Sequence, residues 1–185
     1  MLCDFGEARA GKSSHTDLIQ PSVYRAPEVF LHIPWSEPVD IWNLGCVVRR
    51  RSFLIHCLNS DSILQTWSLF FGRSLFSPKV ANNSKSAVDV DHLAQMVALL
   101  GPPPPELLAD AGPRALEFFN RDGSSKGQIP GYTLESLLEA NLERVGGTMS
   151  EEEKEAFLYF MRRTLTWRAE ERASATELLS LALEF

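Results

Sequence analysis

Apolar residues recur at helical spacing over most of this chain, whereas the alternation typical of β-strands is weak throughout. In the last quarter, one apolar face consists of Phe157, Leu158, Phe160, Met161 and Leu165. Ser150 and Glu153 precede this face as a capping box, and Ser174 with Glu177 repeats the pattern before a run of leucines. These patterns predict two C-terminal helices and a mainly α domain.

Further helices are predicted upstream. Residues 26–31 fit one or two helical turns, and residues 39–48 are apolar on most sides, which indicates a buried helix. Asp89 is predicted to cap a helix through residues 92–100, which a glycine and four prolines end. Thr133 is predicted to cap the next helix.

Composition is that of an ordinary globular protein, with 185 residues, 44% hydrophobic and 23% charged. The net charge of −6 indicates no basic face, so we expect neither nucleic acid nor membrane as a partner. Cys3, Cys46 and Cys57 lack metal-ligand spacing, which argues against zinc and favours a reducing, intracellular compartment (cytoplasm or nucleus).

Four short motifs occur along the chain in one order. Asp4-Phe5-Gly6 comes first, and Ala26-Pro27-Glu28 follows at the distance expected for the two ends of an activation segment. Residues 40–45 (DIWNLG) and 166–175 (TWRAEERASA) come next. In this order the motifs resemble the C-terminal lobe (C-lobe) of a eukaryotic protein kinase, over nearly the whole chain.

Two strings narrow the resemblance. Residues 24–28 (YRAPE) and 99–103 (LLGPP), the latter followed by an extra segment, resemble the CMGC group. Residues 4–9 (DFGEAR), together with residues 19–21 (IQP), are most similar to SR-protein-kinase-type Ser/Thr kinases of fungi.

The resemblance implies an incomplete kinase fold in four parts. Residues 1–28 would be the activation segment, and 39–76 a central helix. Residues 89–149 would be helix G with a CMGC-type insert, and residues 150–185 the last two helices. Residue 1 would lie within a strand, so we expect a truncated chain.

The resemblance also implies site residues. Asp4 would ligate the magnesium that bridges the ATP phosphates. Phe5 would pack into the lobe, and Gly6 would permit unusual backbone angles. Glu28 would form a buried ion pair with Arg172, which fastens the activation segment to the last helices.

Two further implied roles concern the catalytic loop and the substrate. Asp40 would accept hydrogen bonds from the backbone of the catalytic loop. Pro21, Tyr24 and Arg25 would shape the wall of the substrate groove. The family usually has threonine where Pro21 stands, and CMGC kinases often have arginine where Ser22 stands. Both departures argue against phosphorylation-dependent activation and ordinary proline-directed specificity.

The 185 residues contain no glycine-rich loop, no strand lysine with a partner glutamate and no His-Arg-Asp loop. We therefore expect the intact parent to use ATP and Mg, whereas this fragment should be inactive and bind neither tightly. The alternative is a kinase-derived binding module, with a protein substrate or docking partner on residues 89–149. A helical domain unrelated to kinases is the third interpretation.

Residues 49–66 interrupt the predicted central helix. Without these 18 residues, residues 67–72 (WSLFFG) fall into the register expected of the family. The segment opens with three arginines, and unpaired cations inside a buried helix are costly. It is interpreted as an unspliced intron or annotation artefact, the alternative being a genuine lineage-specific insertion.

Overall fold

The computed structural model describes Arg9 and residues 14–46, 71–78 and 84–184. This part contains eight stretches of α-helix: α1 (Pro27–Phe30), α2 (Pro38–Cys46), α3 (Lys85–Leu100), α4 (Pro105–Ala111), α5 (Ala115–Phe118), α6 (Leu134–Val145), α7 (Glu151–Thr164) and α8 (Ala175–Glu184). Its extended pairing is limited to two isolated bridges. The described fold is therefore mainly α, as the apolar spacing predicts.

Helix α2 lies in the core, with Trp42 completely buried. Its glycine, Gly45, faces α7 so closely that an added Cβ would be 2.8 Å from both Thr164 Oγ1 and Leu165 Cδ2. The prediction of a buried helix is correct for this face, but Leu44 on the other side is 37% exposed. Helix α2 therefore has one packed face and one open face.

The N-cap of helix α3 lies five residues before Asp89, the predicted cap. Ser84 is the N-cap, and its hydroxyl accepts a hydrogen bond from the Ala87 N–H at 3.3 Å. Asp89 lies inside the helix and is 6% exposed, so the prediction that it caps the helix is wrong. Serine and aspartate are both good caps, and spacing alone did not decide between them.

The remaining predicted caps are confirmed. Thr133 caps α6 in a reciprocal pair with Ser136, and Ser150 pairs with Glu153 before α7. Ser174 and Glu177 exchange bonds of 3.2 and 2.7 Å at the start of α8. Each pair satisfies backbone N–H groups that a helix start leaves open.

The segment between α3 and α7 packs on the rest of the fold at several points. Trp167 Nε1 donates to the Gly101 carbonyl at 3.0 Å, and Arg144 on α6 donates to the Phe71 carbonyl at 2.6 Å. A Cβ on Gly127 would be 2.8 Å from the Val90 carbonyl oxygen on α3. These contacts hold the segment against α3, Phe71 and Trp167.

His92 on α3 is completely buried between two aromatic rings. Its ring centroid lies 5.0 Å from that of Phe30 and 4.7 Å from that of Phe76. Neither ring nitrogen has a well-formed hydrogen bond within the described residues. Burial lowers the pKa of His92 to about 3, and the charge of nearby Arg25 acts in the same direction.

Several sequence predictions fall on residues outside the described part: the strand at Met1, the Asp4-Phe5-Gly6 site, and residues 49–66. Among the residues that are described, no helix has the length and apolarity that crossing a membrane requires.

Candidate functional site

Residues 14–26 run across the ends of α1 and α2 and are held there by backbone pairing. His15 and Trp35 form an antiparallel bridge, with N–H···O distances of 2.9 and 2.8 Å. Their ring centroids lie 4.7 Å apart. Trp35 Nε1 also donates to the Asp17 carbonyl at 2.8 Å. The bridge ties the start of this segment, here called the latched segment, to the loop before α2.

Gln20 holds the middle of the latched segment. Its backbone has φ of 66°, which is uncommon for a residue other than glycine. Its side chain donates to the Val39 carbonyl at 3.1 Å and accepts from the Ala26 N–H at 2.8 Å. Because both ends of the carboxamide are bonded, the strained conformation is fixed from two sides.

Arg25 closes the segment from the other end. Its guanidinium donates to the carbonyls of Ile19 and Gln20 at 3.2 and 3.0 Å. Its Cζ lies 5.2 Å from the centroid of the Phe30 ring. Burial lowers the pKa of Arg25, and the carboxylate of Asp89 opposes this effect.

The other two residues predicted at the substrate groove lie in the same turn. The Tyr24 N–H donates to the Pro21 carbonyl at 2.9 Å, around the short 3₁₀ turn Ser22–Tyr24. Pro21 is exposed, whereas Tyr24 is partly buried against the core. The structure therefore brings Pro21, Tyr24 and Arg25 together in one closed loop.

Glu28 and Arg172 meet in the core although 144 positions separate them. Two parallel hydrogen bonds of 2.6 Å join the guanidinium to the carboxylate. The side chains are 1% exposed for Arg172 and 3% for Glu28. Arg172 also donates to the Pro38 carbonyl at 2.9 Å, and its Cζ lies 5.2 Å from the Trp42 ring centroid.

This bidentate pair connects three parts of the chain. Glu28 is on α1, directly after the latched segment, and Arg172 precedes α8. The bond to Pro38 adds the start of α2. Bidentate pairing fixes the angle of the guanidinium as well as its position.

Asp40 is exposed at the start of α2. It lines an open cavity of about 550 Å³ between α2 and the latched segment. The wall of this cavity consists of Arg9, His15, Leu18, Ile19, Gln20, Pro21, Arg25, Trp35, Ser36, Glu37, Val39, Asp40 and Asn43. Asp40 therefore faces the same space as the predicted substrate-groove residues Pro21 and Arg25.

A second cavity, of about 330 Å³, lies between α3, α6 and the loop that precedes α6. Asp91 and Gln95 from α3 face Tyr132 and Asn141 across it. Gln95 Nε2 donates to Asp91 Oδ2 at 2.9 Å. Burial, followed by the Asp91 carboxylate, raises the pKa of Tyr132 to about 12, so its hydroxyl remains a donor at neutral pH.

The described residues contain no cluster of three or more His, Cys, Asp or Glu side chains that could hold a metal ion. Asp4, the predicted magnesium ligand, lies outside them together with Phe5 and Gly6.

Sequence reasoning missed two features of this site. Gln20 belongs to the string IQP that resembles the family, but nothing in the sequence pattern indicates its φ angle or its two side-chain hydrogen bonds. Trp35 was not singled out, since a lone tryptophan among prolines gives no periodic signal. Both residues act through contacts with distant backbone, which hydrophobic spacing does not encode.

Comparison with protein families matches residues 1–182 of this chain to the protein kinase domain. The chain is 37% identical over 180 residues to the serine/threonine protein kinase AFUA_5G14870 of Aspergillus fumigatus, covering 97% of this chain and 39% of that one. It is 31% identical over 181 residues to the probable serine/threonine-protein kinase sky1 of Dictyostelium discoideum, covering 97% and 24%.

Human dual specificity protein kinase CLK4 is 28% identical over 182 residues, covering 96% of this chain and 31% of CLK4. Among solved structures, the kinase domain of PF14_0431 matches with a TM-score of 0.61 at 23% identity, over 96% of this chain and 45% of that one. The chain thus spans less than half the length of each of these proteins. By family match and similarity, the chain belongs to the protein kinase family, and its described part is a mainly α C-lobe similar to those of CMGC kinases.

Proposed function

We propose that this chain is the C-lobe part of an ATP-dependent serine/threonine protein kinase. The intact parent would transfer a phosphoryl group from ATP to protein serine or threonine. The observation that carries the proposal is the fastening of the latched segment. It is held by the Glu28–Arg172 pair at one end and by the His15–Trp35 bridge at the other.

In this proposal the latched segment is one wall of the protein-substrate groove. Gln20 and Arg25 hold the loop closed through four hydrogen bonds before any substrate is present. A preformed loop lowers the ordering cost that binding an extended peptide would otherwise include. Pro21 and Tyr24 then lie in the closed loop, where they would contact the residues next to the phosphorylated position.

The Glu28–Arg172 pair and Asp40 would serve the groove indirectly. Glu28 and Arg172 are too deeply buried to meet a substrate, so they act as positioning residues for the latched segment. Asp40 faces the open cavity, where it would accept from the backbone of the catalytic loop of the intact enzyme.

ATP and magnesium belong to the intact parent. Asp4 would hold the metal, which neutralises charge on the transferring phosphates. The sequence of this chain supplies no phosphate cradle and no catalytic aspartate of a His-Arg-Asp loop. We therefore infer that the 185 residues alone neither transfer phosphate nor bind ATP tightly.

The proposal is tested with a chimera. In the A. fumigatus kinase, the segment that matches this chain is replaced by residues 1–185, with and without residues 49–66. Radiolabelled ATP and a generic protein substrate should give labelled serine and threonine, and Asp4→Ala should abolish the label. Glu155→Ala, at an exposed position of α7 outside the latched segment, is the control and should keep activity. Unlabelled substrate with folded chimeras of both lengths would contradict the proposal.

We also propose residues 89–149 as the docking surface for a protein substrate or partner. The supporting observation is the 330 Å³ cavity, which is lined by Asp91 on α3 and by Tyr132 in the loop before α6. In the chimera, Asp91→Asn should raise KM for the protein substrate and leave kcat and the KM for ATP unchanged. Equal KM values for Asp91→Asn and the parent chimera would exclude a substrate-docking role.

A further inference from the structure

Leu18 is an exposed apolar residue on the latched segment. Its side chain is 51% exposed and lines the 550 Å³ cavity. Pro21, three positions further on, is exposed as well and lines the same cavity. A single exposed apolar residue is ordinary on a protein surface, whereas several around one concave space are typical of a binding site. The residues next to Leu18 therefore decide between these two interpretations.

Further apolar residues line the cavity next to Leu18. Trp35 is 7% exposed and donates from Nε1 to the Asp17 carbonyl at 2.8 Å. The Val39 carbonyl accepts from the Gln20 side chain at 3.1 Å. Both contacts join the lining of the cavity to residues close to Leu18 in the chain. Five residues of the lining are here called the apolar wall: Leu18, Ile19, Pro21, Trp35 and Val39.

The polar side chains of the latched segment that line the cavity hold the segment itself. The Gln20 carboxamide is bonded at both ends, and Arg25 donates to the Ile19 and Gln20 carbonyls. The His15 ring centroid lies 4.7 Å from that of Trp35. A ligand that meets this segment therefore contacts mainly the apolar surface of the wall.

Two carboxylates also line the cavity, and they define the competing hypothesis of a basic ligand. Glu37 directly precedes α2, and Asp40 is in its first turn. The apolar wall is favoured because Leu18 belongs to the proposed substrate wall itself. The hydrogen bonds of the latched segment also fix its backbone, so covering Leu18 gains hydrophobic free energy at a small ordering cost.

We propose that the apolar wall recognises one aliphatic side chain of the protein substrate, close to the phosphorylated serine or threonine. Leu18 is the specificity-determining residue, because its half-exposed side chain would be covered by the aliphatic group. This inference rests on the proposed function and adds the class of substrate, a segment with leucine, isoleucine, valine or methionine near the acceptor residue. Burial of both side chains supplies the selectivity.

The test uses the chimera with the A. fumigatus kinase and a library of nine-residue peptides with a central serine, in which one flanking position is fixed at a time. At one flanking position, kcat/KM should be about 10-fold higher for aliphatic residues than for glutamine, a ratio that one apolar contact in an enzyme pocket can give. Leu18→Ala should reduce this preference. Leu18→Lys should replace it with a preference for aspartate and glutamate at the same position, since the new charge attracts carboxylates.

Leu179→Lys is the matched control, because Leu179 is 57% exposed on α8 and does not line the cavity. It should leave the preference unchanged. A library without an aliphatic preference, or with one that survives Leu18→Lys, would overturn the inference. A preference for arginine or lysine that survives Leu18→Lys would assign the selection to Glu37 and Asp40 and overturn it as well. If the unmodified chimera labels neither peptide nor protein, the proposed function itself fails, whereas labelling without the aliphatic preference removes only this inference.

Discussion

At the scale of single residues, the Glu28–Arg172 pair explains why distant parts of the chain fold as one unit. Both side chains are almost completely buried, so each charge depends on the other for its stabilisation. The two hydrogen bonds to the Pro38 and Thr166 carbonyls further satisfy the guanidinium. Removal of either partner therefore leaves an uncompensated charge in the core.

We predict that Glu28→Gln lowers the free energy of unfolding by about 3–5 kcal/mol, the cost typical of breaking a buried pair. Urea unfolding of the chain measures this. The control is Glu170→Gln, which breaks the exposed Arg168–Glu170 pair and should change stability by less than about 1 kcal/mol. If both variants lower the free energy of unfolding equally, the buried Glu28–Arg172 pair stabilises the fold no more than an exposed pair does.

His92 gives the fold a pH dependence whose sign follows from burial. The pKa of His92 is about 3 in the folded state, whereas the ordinary value of 6.5 applies to the unfolded chain. Between these two pH values, unfolding therefore allows the ring to take up a proton. Its contribution to stability is complete above pH 6.5 and is lost progressively as the pH falls towards 3. Between pH 7.5 and 5.0 we predict a loss of about 2 kcal/mol from this group.

Urea unfolding at the two pH values, with His92→Phe as the comparison, measures this contribution. Phenylalanine cannot titrate, so the decrease in stability between pH 7.5 and 5.0 should be smaller in the variant by about the same 2 kcal/mol. An identical pH dependence in both proteins would mean that His92 is not the titrating group.

At the scale of elements, the segment between α3 and α7 is an integral part of the packing. Gly127 lies so close to α3 that a Cβ would be 2.8 Å from Ala94 Cβ and from the Val90 carbonyl oxygen. Because one of these atoms belongs to backbone, the contact cannot be relieved by a rotamer change. Gly131, four residues further on, has open space at the corresponding position.

We predict that Gly127→Ala destabilises the chain by about 1–3 kcal/mol, the usual cost of overpacking. Gly131→Ala should be neutral or slightly stabilising, since alanine restricts the unfolded chain. Thermal unfolding of both variants measures the difference. If Gly127→Ala is as stable as Gly131→Ala, the insert does not pack on α3 as described.

Residues 49–66 lie outside the described part, so their interpretation as a foreign segment stays a prediction. Deletion of these 18 residues would rejoin the central helix, and should raise the thermal midpoint of the chain. Transcript reads across the region provide an independent measurement. Uniform inclusion of the segment in transcripts, or unfolding of the deletion variant, would support a genuine insertion instead.

Helix starts could be predicted from the sequence where the cap and its partner lie three residues apart. Ser150 with Glu153 and Ser174 with Glu177 are local signals, and the structure confirms them. The prediction that Asp89 caps α3 was wrong because Ser84 caps this helix five residues earlier. Asp89 therefore lies in the buried interior of the helix. Local chemistry identifies candidates for a cap, whereas packing decides among them.

Fewer features of the site than of the helices could be predicted from the sequence. The pairing of Glu28 with Arg172 could be anticipated only through family resemblance, because no local pattern joins residues so far apart. The strained backbone of Gln20 became visible only in three dimensions. It depends on which backbone groups the fold brings within hydrogen-bonding distance.

At the scale of the whole molecule, the described residues combine a firmly held segment with an open cavity beside it. The latched segment is fixed from several directions, whereas Asp40 lines the open cavity beside it. This asymmetry fits a lobe that works with a further part. It also agrees with the family match, in which the chain spans only 39% of its A. fumigatus relatives.

The central claim is that this chain contributes the substrate wall of a kinase and depends on the rest of the parent for ATP. Calorimetric titration of Mg-ATP, into the 185-residue chain and into the chimera under the same conditions, tests it most directly. Micromolar binding requires about 8 kcal/mol, which one magnesium ligand without a phosphate cradle does not supply. The account predicts micromolar binding by the chimera and none tighter than millimolar by the chain alone. A micromolar constant for the isolated chain, lost on Asp4→Ala, would contradict it.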